Sequence, residues 1–257
     1  MNPLTRFVYS SLTVAEMEAR KIRHDSTELW TRVVQPALWL LIFGEVFTGI
    51  RGINTGSFTY IQFITPGVLA QSVLFVAIFY GITVVWERDA GLLSKLLSTP
   101  SPRSSIIVGK AMAAGVRGVF QAIMIFGLAL IIGVNLRFDV LDVLGVFVVI
   151  VMTAMCFSSL SMVLASFLKT RDRMMGIGQA ITMPLFFASN AIYPLSLMPS
   201  WLQTISVFNP LSYGVDAVRA LILTGEYSGL PVDVAVLGGF TVLFLTIASI
   251  SIRGIIE

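Results

Sequence analysis

Charge is what this 257-residue chain has least of: Asp, Glu, Lys and Arg together make up 12% of it, where a soluble domain carries about 25%. So few charges cannot cover a globule of this size, which excludes an ordinary water-soluble fold. Histidine occurs once, as His24, and cysteine once, as Cys156. With a single imidazole set among the charges of the N-terminal arm, neither a two-histidine zinc site nor a histidine-based triad is expected within the chain. One cysteine excludes an intrachain disulfide. Cys156 stands in an apolar run beside Ser158 and Ser159, where packing is expected rather than an activated thiolate. No basic run is interleaved with aromatics, so a nucleic-acid surface is not expected. Residues 1–32 lack the apolar core of a cleavable signal, and Arg20, Lys21 and Arg23 come late, so the first spanning helix is expected to direct insertion. Gly109-Lys110 looks like the end of a phosphate-binding loop. However, Ser104 stands where the first glycine belongs and Ala111 where a magnesium-holding Ser or Thr belongs. No nucleotide site is read there.

What is abundant is grease. Apolar residues make up 56% and mean hydropathy is +0.89. Five runs are long enough to cross about 30 Å of hydrocarbon as helices: Ile61–Val85, Gly118–Leu136, Val143–Leu168, Met174 to about Leu197, and Val234–Ile252. Val33–Ile50 makes a sixth, weakened by Glu45. With these spans, Arg51, Arg137 and Arg219 alone of the 17 basic residues fall on one side. Lys and Arg near span ends are retained in the cytoplasm, so both termini are expected inside. The fold class expected is an all-α membrane protein of six transmembrane helices forming one domain over 1–257.

Three segments between or before the spans carry their own pattern. In residues 1–31, Leu4, Val8, Leu12, Ala15, Ala19 and Ile22 repeat at helical spacing while Arg6, Glu16 and Arg20 fall elsewhere, predicting an amphipathic helix on the inner leaflet. From Met174 to Val215 no charge occurs, but Asn190, Pro194, Pro199, Asn209 and Pro210 break the second half. One helix ending near Tyr193 is expected, then a partly re-entrant extracytoplasmic segment over 194–231. The stretch "VVWERDAGLLSKLLSTPSPRSS", residues 84–105, interrupts two apolar runs with Glu87, Arg88, Asp89, Lys95 and Arg103. Glu87 to Leu97 predicts a short helix with Leu92, Leu93, Leu96 and Leu97 on one face, ended by Thr99-Pro100. Such a helix on the cytoplasmic side suits contact with a soluble partner.

Polar residues inside the spans are few. Glu45 is the one charge well inside; an ionised acid at the bilayer centre costs on the order of 2–3 kcal/mol. Two readings stand for it, snorkelling to the interface or a place in a transport path. Gln62, Gln71, Asn190 and Tyr193 could face the same path or join helices to one another. An intramembrane enzyme would need Glu45 to converge with Asp139 or Asp142.

The segment "ERDAGLLSKLLSTP" resembles the cytoplasmic-loop signature of ABC-2 type permeases, the membrane subunits of ATP-driven exporters. Glu87, Gly91, Thr99 and Pro100 match its acidic residue, glycine and closing Thr-Pro, whereas Leu92 and Ser94 replace a frequent Thr and Glu. "VVQPALWLLIFGEVF", "YIQFITPGVLAQSVLF" and "YPLSLMPSWLQTISVFNPLSYGVDAVRAL" look like the first two spans and the region before the last span of the daunorubicin-resistance type. The resemblance implies a half-transporter pairing with a second copy or a homologue in the cytoplasmic membrane. Separate ATPase subunits would bind ATP and magnesium, so this chain carries no cofactor, metal or catalytic residue. It further implies that residues 86–105, with Glu87, Arg88, Gly91, Lys95, Thr99, Pro100 and Arg103, couple to the ATPase, and that the N-terminal helix touches it too. The expected cargo is a hydrophobic or amphiphilic compound such as a drug. Export of a lipid or lipid-linked glycan is the alternative, and an ATP-independent channel or scaffold is the alternative of another class.

Overall fold

A computed structural model describes all residues except 1, 25, 49–57, 99–101, 169 and 257. Among the described residues there is no strand. The helices run α1 (Pro3–His24), α2 (Ser26–Leu38), α3 (Glu45–Thr48), α4 (Tyr60–Asp89), α5 (Leu92–Leu97), α6 (Arg103–Ile132) and α7 (Val140–Phe167). They continue with α8 (Arg171–Phe187), α9 (Ser200–Val207), α10 (Pro210–Arg219) and α11 (Leu230–Ile256). A π-helical stretch, Trp39–Gly44, joins α2 to α3, and another, Ala220–Thr224, extends α10.

Among the described residues, four helices are long and apolar enough to cross a membrane: α4, α6, α7 and the Leu230–Ser251 part of α11. α4 is the centre of the bundle. It packs against α6, α7, α8 and α10, and 83% of its apolar window is buried against 17% for α11. A helix apolar all round belongs where protein surrounds it, whereas α11 leaves Val242 and Ile250 outward, as a lipid-facing helix does. Small residues let α4 sit so close. A Cβ on Gly67 would lie 2.1 Å from the Ala191 carbonyl oxygen, and one on Gly81 would lie 1.8 Å from Ser161 Oγ. This is the close backbone approach by which membrane helices associate.

The structure corrects several boundaries. Val33–Ile50 is not one α-helix: Pro36 lies in α2, removing a backbone donor, and the backbone widens to π geometry from Trp39 to Gly44. The expected span from Met174 to about Leu197 is α8, which stops at Phe187. Side chains receive its orphan carbonyls: Ser189 Oγ donates to Phe186 O at 2.7 Å, Asn209 Nδ2 to Leu185 O at 2.7 Å, and the Tyr193 hydroxyl to Phe187 O. The third expected span begins fifteen residues early, because Arg103 to Arg117 is helix as well. α4 and α6 have 30 residues each, about 45 Å at the helical rise, so both outrun the hydrocarbon by several turns. Residues 194–231, expected as a partly re-entrant segment, hold the short helices α9 and α10, and α11 begins at Leu230.

Candidate coupling surface and translocation pocket

The elbow at residues 84–105 is two helices, not one. α4 continues to Asp89, and α5 begins only at Leu92. Between them Gly91 adopts φ +70°, a left-handed backbone that glycine enters without penalty, so it turns the chain out of α4. Beyond it Leu92 and Lys95 are exposed while Leu93 is buried in a cluster with Val84, Ile107 and Met162. Arg103 is exposed at the start of α6. Thr99 and Pro100 lie outside the described residues.

Glu87 does not face outward. It is buried in the last turn of α4, where its carboxylate accepts from Lys21 of α1 at 2.7 Å and from Lys110 of α6. Lys110, fully buried, also donates to Glu18 of α1 at 3.0 Å, and Lys21 donates to Glu18 at 2.9 Å. Two carboxylates and two ammoniums thus alternate in a closed ring that ties three elements together. Burial pushes the Glu18 carboxyl up. The attraction of Lys110 and the hydrogen bonds from Lys21 and Lys110 outweigh it and hold the pKa at about 2. Burial lowers the Lys21 ammonium, but the hydrogen bonds to Glu87 and Glu18 leave it above its ordinary value. On the other flank of the elbow, Asp89 accepts from Arg88 at 3.1 Å and from Arg171 at 3.2 Å, and Arg171 covers the Trp86 ring at 4.9 Å.

α1 is an amphipathic helix, and Ala15 of its expected outward stripe turns inward. Ser11, Val14, Ala15 and Glu18 are buried, while Leu4, Val8 and Leu12 of the predicted stripe remain outward, free to enter a leaflet. The Gly109-Lys110 pair, which binds no nucleotide in the sequence reading, seats this helix. A Cβ at Gly109 would lie 2.6 Å from the Ser11 carbonyl oxygen. Glu18 and Lys110 were not among the sequence candidates; the i, i+3, i+4, i+7 spacing of Ser11, Val14, Ala15 and Glu18 was the available signal.

Of the expected path residues, Gln71 lines a cavity. About 380 Å³ opens between α2, α4 and α8, bounded by Arg32, Gln35, Gln71, Phe75, Phe79 and Gln179 among others. The Gln71 side chain is buried and its Oε1 has no hydrogen-bond partner. The others are placed elsewhere. Gln62 caps α4, accepting from Thr59 N at 2.9 Å and donating to Asn135 O at 3.1 Å. Asn190 donates to Asp216 at 2.5 Å, Tyr193 caps α8, and Glu45 is exposed at the start of α3. Asp139 caps α7, and Asp142 accepts from the Tyr227 hydroxyl at 2.8 Å. A larger apolar groove of about 760 Å³ runs between α8 and α9, edged by Phe187, Tyr193, Trp201 and Phe208. Among the described residues no three His, Cys, Asp or Glu gather as metal ligands.

The sequence profile of the ABC-2 type transporter family matches residues 9–223. Relatives agree with it. A ycf38 protein of Cyanophora paradoxa, named as a transport permease, is 31% identical over 78% of this chain and 70% of its own length. The daunorubicin resistance ABC transporter permease protein DrrB1 of Streptomyces coeruleorubidus is 25% identical over 84% and 75%. The inner membrane transport permease YadH of Escherichia coli K12 is 28% identical over 76% and 77%. With its spanning helices and a profile match over most of its length, the chain belongs to the ABC-2 type transporter family and is a multi-pass membrane permease.

Proposed function

We propose that the chain is the membrane subunit of an ATP-driven exporter that moves a hydrophobic or amphiphilic compound outward across the cytoplasmic membrane. The observation that carries this reading is the elbow. A short helix, α5, stands beyond the end of α4 on a glycine turn, with Leu92 and Lys95 outward, which suits a socket on a soluble partner. The partner is an ABC ATPase that binds ATP and magnesium. In this reading α2 and α8 act as spans beside the four long helices, giving six crossings with both termini cytoplasmic. A second copy, or a homologue, faces the α2–α4–α8 cavity and completes the path. That cavity, about 380 Å³ in one chain, is within the size range of drug-sized sites, and DrrB1 is named for resistance to a drug.

The mechanism is population shift. ATP holds two ATPase subunits together, and the ligand moves the membrane part only through differential affinity for its two arrangements. A shift from 1:99 to 99:1 takes about 5.5 kcal/mol, which nucleotide binding and hydrolysis supply. The apolar groove between α8 and α9 favours a second reading, export of a lipid or lipid-linked glycan, whose acyl chains would fit its aromatic edges.

Purification from the native membrane to capture a co-purifying ABC ATPase, followed by reconstitution of the pair with a cargo panel, tests both. Stimulation of ATP hydrolysis by drug-like amphiphiles is expected; stimulation only by glycolipids selects the second reading. Absence of any co-purifying ATPase, or labelling of a cysteine at position 95 from outside, overturns the whole proposal.

A further inference from the structure

We propose that the buried ring of Glu18, Lys21, Glu87 and Lys110 is a lock that makes α1, the end of α4 and α6 move as one unit, with Lys110 as its positioning residue. This rests on the export reading above and extends it from the elbow to the N-terminal helix and α6. The ring has features that a casual surface ion pair lacks. Lys110 is wholly buried and Glu18 nearly so, while Lys21 closes the outer side at 47% exposure. The Lys110 ammonium has three protons to give and meets both carboxylates; Lys21 meets the same two from the opposite side. The charges sum to zero, so the ring is satisfied only when it is complete.

Removing any member leaves the other three with one unit of uncompensated charge in a largely buried site, which is costlier than losing an exposed pair. The closed ring therefore favours opening as a unit. Steric contact reinforces it: the α1 backbone lies against Gly109 so closely that even a methyl group would meet Ser11 O at 2.6 Å and Val14 Cβ at 2.7 Å. Glu87 stands four residues before the Gly91 turn. Force applied to α5 thus reaches Glu87 one turn into α4, and from it α6 through Lys110 and α1 through Lys21 and Glu18. The outward Leu4, Val8 and Leu12 would carry that motion along the leaflet surface.

Hydrogen–deuterium exchange on the full-length permease in nanodiscs, with no ATPase present, tests the lock independently of export. In Lys110→Met, exchange in α1 and in residues 87–98 is expected to rise together, by about tenfold or more, as one cooperative unit. Glu18→Gln, a milder change that serves where Lys110→Met fails to assemble, is expected to raise both segments by a common smaller factor. A rise confined to one segment, or to neither, overturns the lock while leaving the export reading intact.

The second arm uses the permease with its ATPase. Lys110→Met is expected to keep ATP hydrolysis while cargo moved per ATP falls by about fivefold or more, a ratio that simple loss of folded protein does not change. Glu18→Cys with Lys110→Cys, in a Cys156→Ser background, is expected to lose coupling and to regain it when a bis-methanethiosulfonate reagent bridges the pair. Export blocked by the bridge would mean that α1 must detach during turnover, and the proposal falls.

Discussion

At the scale of single residues, the decisive group is a lysine inside an apolar run. Lys110 is tolerated there because Glu18 and Glu87 neutralise it; deleting Glu18 leaves two ammoniums on one carboxylate, an uncompensated positive charge in a buried site. Glu18→Ala is expected to destabilise the protein by about 3–5 kcal/mol, measured as loss of thermal stability in detergent, whereas Arg20→Ala, whose pair with Glu16 is exposed on both sides, is expected to change it by less than about 1 kcal/mol. The same group sets an acid limit. The folded Glu18 carboxyl is held near 2 against an ordinary 4.5, so its contribution is complete above 4.5 and lost as pH falls from there through about 2. A thermal melting temperature that is level from pH 7 to 5 and declines below 4.5 is expected, with the decline shallower in Glu18→Gln. Lys21 works in the other direction: its raised pKa gives stability that is full below 10.5 and fades as pH rises past the folded value. An identical acid profile in wild type and Glu18→Gln would remove Glu18 from this account.

At the scale of elements, what was legible depended on how far apart the deciding residues lie. Long apolar runs announce α4, α7 and α11 within a few residues at each end, because a helix must satisfy its own backbone in lipid. The elbow was legible as a place but not as a shape. Gly91 reads as one residue of a helix until its positive φ is seen, and Glu87 reads as exposed until its partners arrive from 66 residues earlier and 23 later. The end of α8 was hidden for the same reason, since Asn209, 24 residues on, supplies a cap. The Gly91 turn can be tested by substitution. No atom lies within 4 Å of a Cβ built there, so Gly91→Ala meets only the left-handed backbone penalty, about 1–2 kcal/mol, and is expected to insert and to retain most export. Gly91→Pro fixes φ near −65°, incompatible with +70°, so α5 is expected to be re-aimed. Cargo-stimulated ATPase activity should then fall to its basal rate while insertion, read by protease protection, is unchanged. Normal stimulated turnover in the proline variant would separate the elbow from coupling.

At the scale of the whole molecule, burial is distributed unevenly, and the inequality indicates where an outer surface is missing. α4 is enclosed by its own chain and α11 is largely exposed, yet the cavity between α2, α4 and α8 is bordered by a buried Gln71 whose oxygen has no partner. A buried amide left unpaired costs about 1–3 kcal/mol, so the protein carries there a polar group that its own packing does not use. Gln71→Leu keeps the volume and removes the unpaired oxygen, and replacing an unsatisfied polar atom by an apolar one is near neutral or stabilising. The melting temperature is therefore expected to hold or rise. In the export reading the same change should weaken cargo-stimulated ATP hydrolysis by about tenfold for cargo that donates a hydrogen bond, the loss of roughly 1.4 kcal/mol of contact, and leave purely apolar cargo unaffected. The two readouts oppose each other: a residue kept for the fold loses stability when changed, and a residue kept for cargo loses selectivity instead. A variant that melts lower and transports every compound equally would assign Gln71 to packing and move the path away from the α2–α4–α8 face.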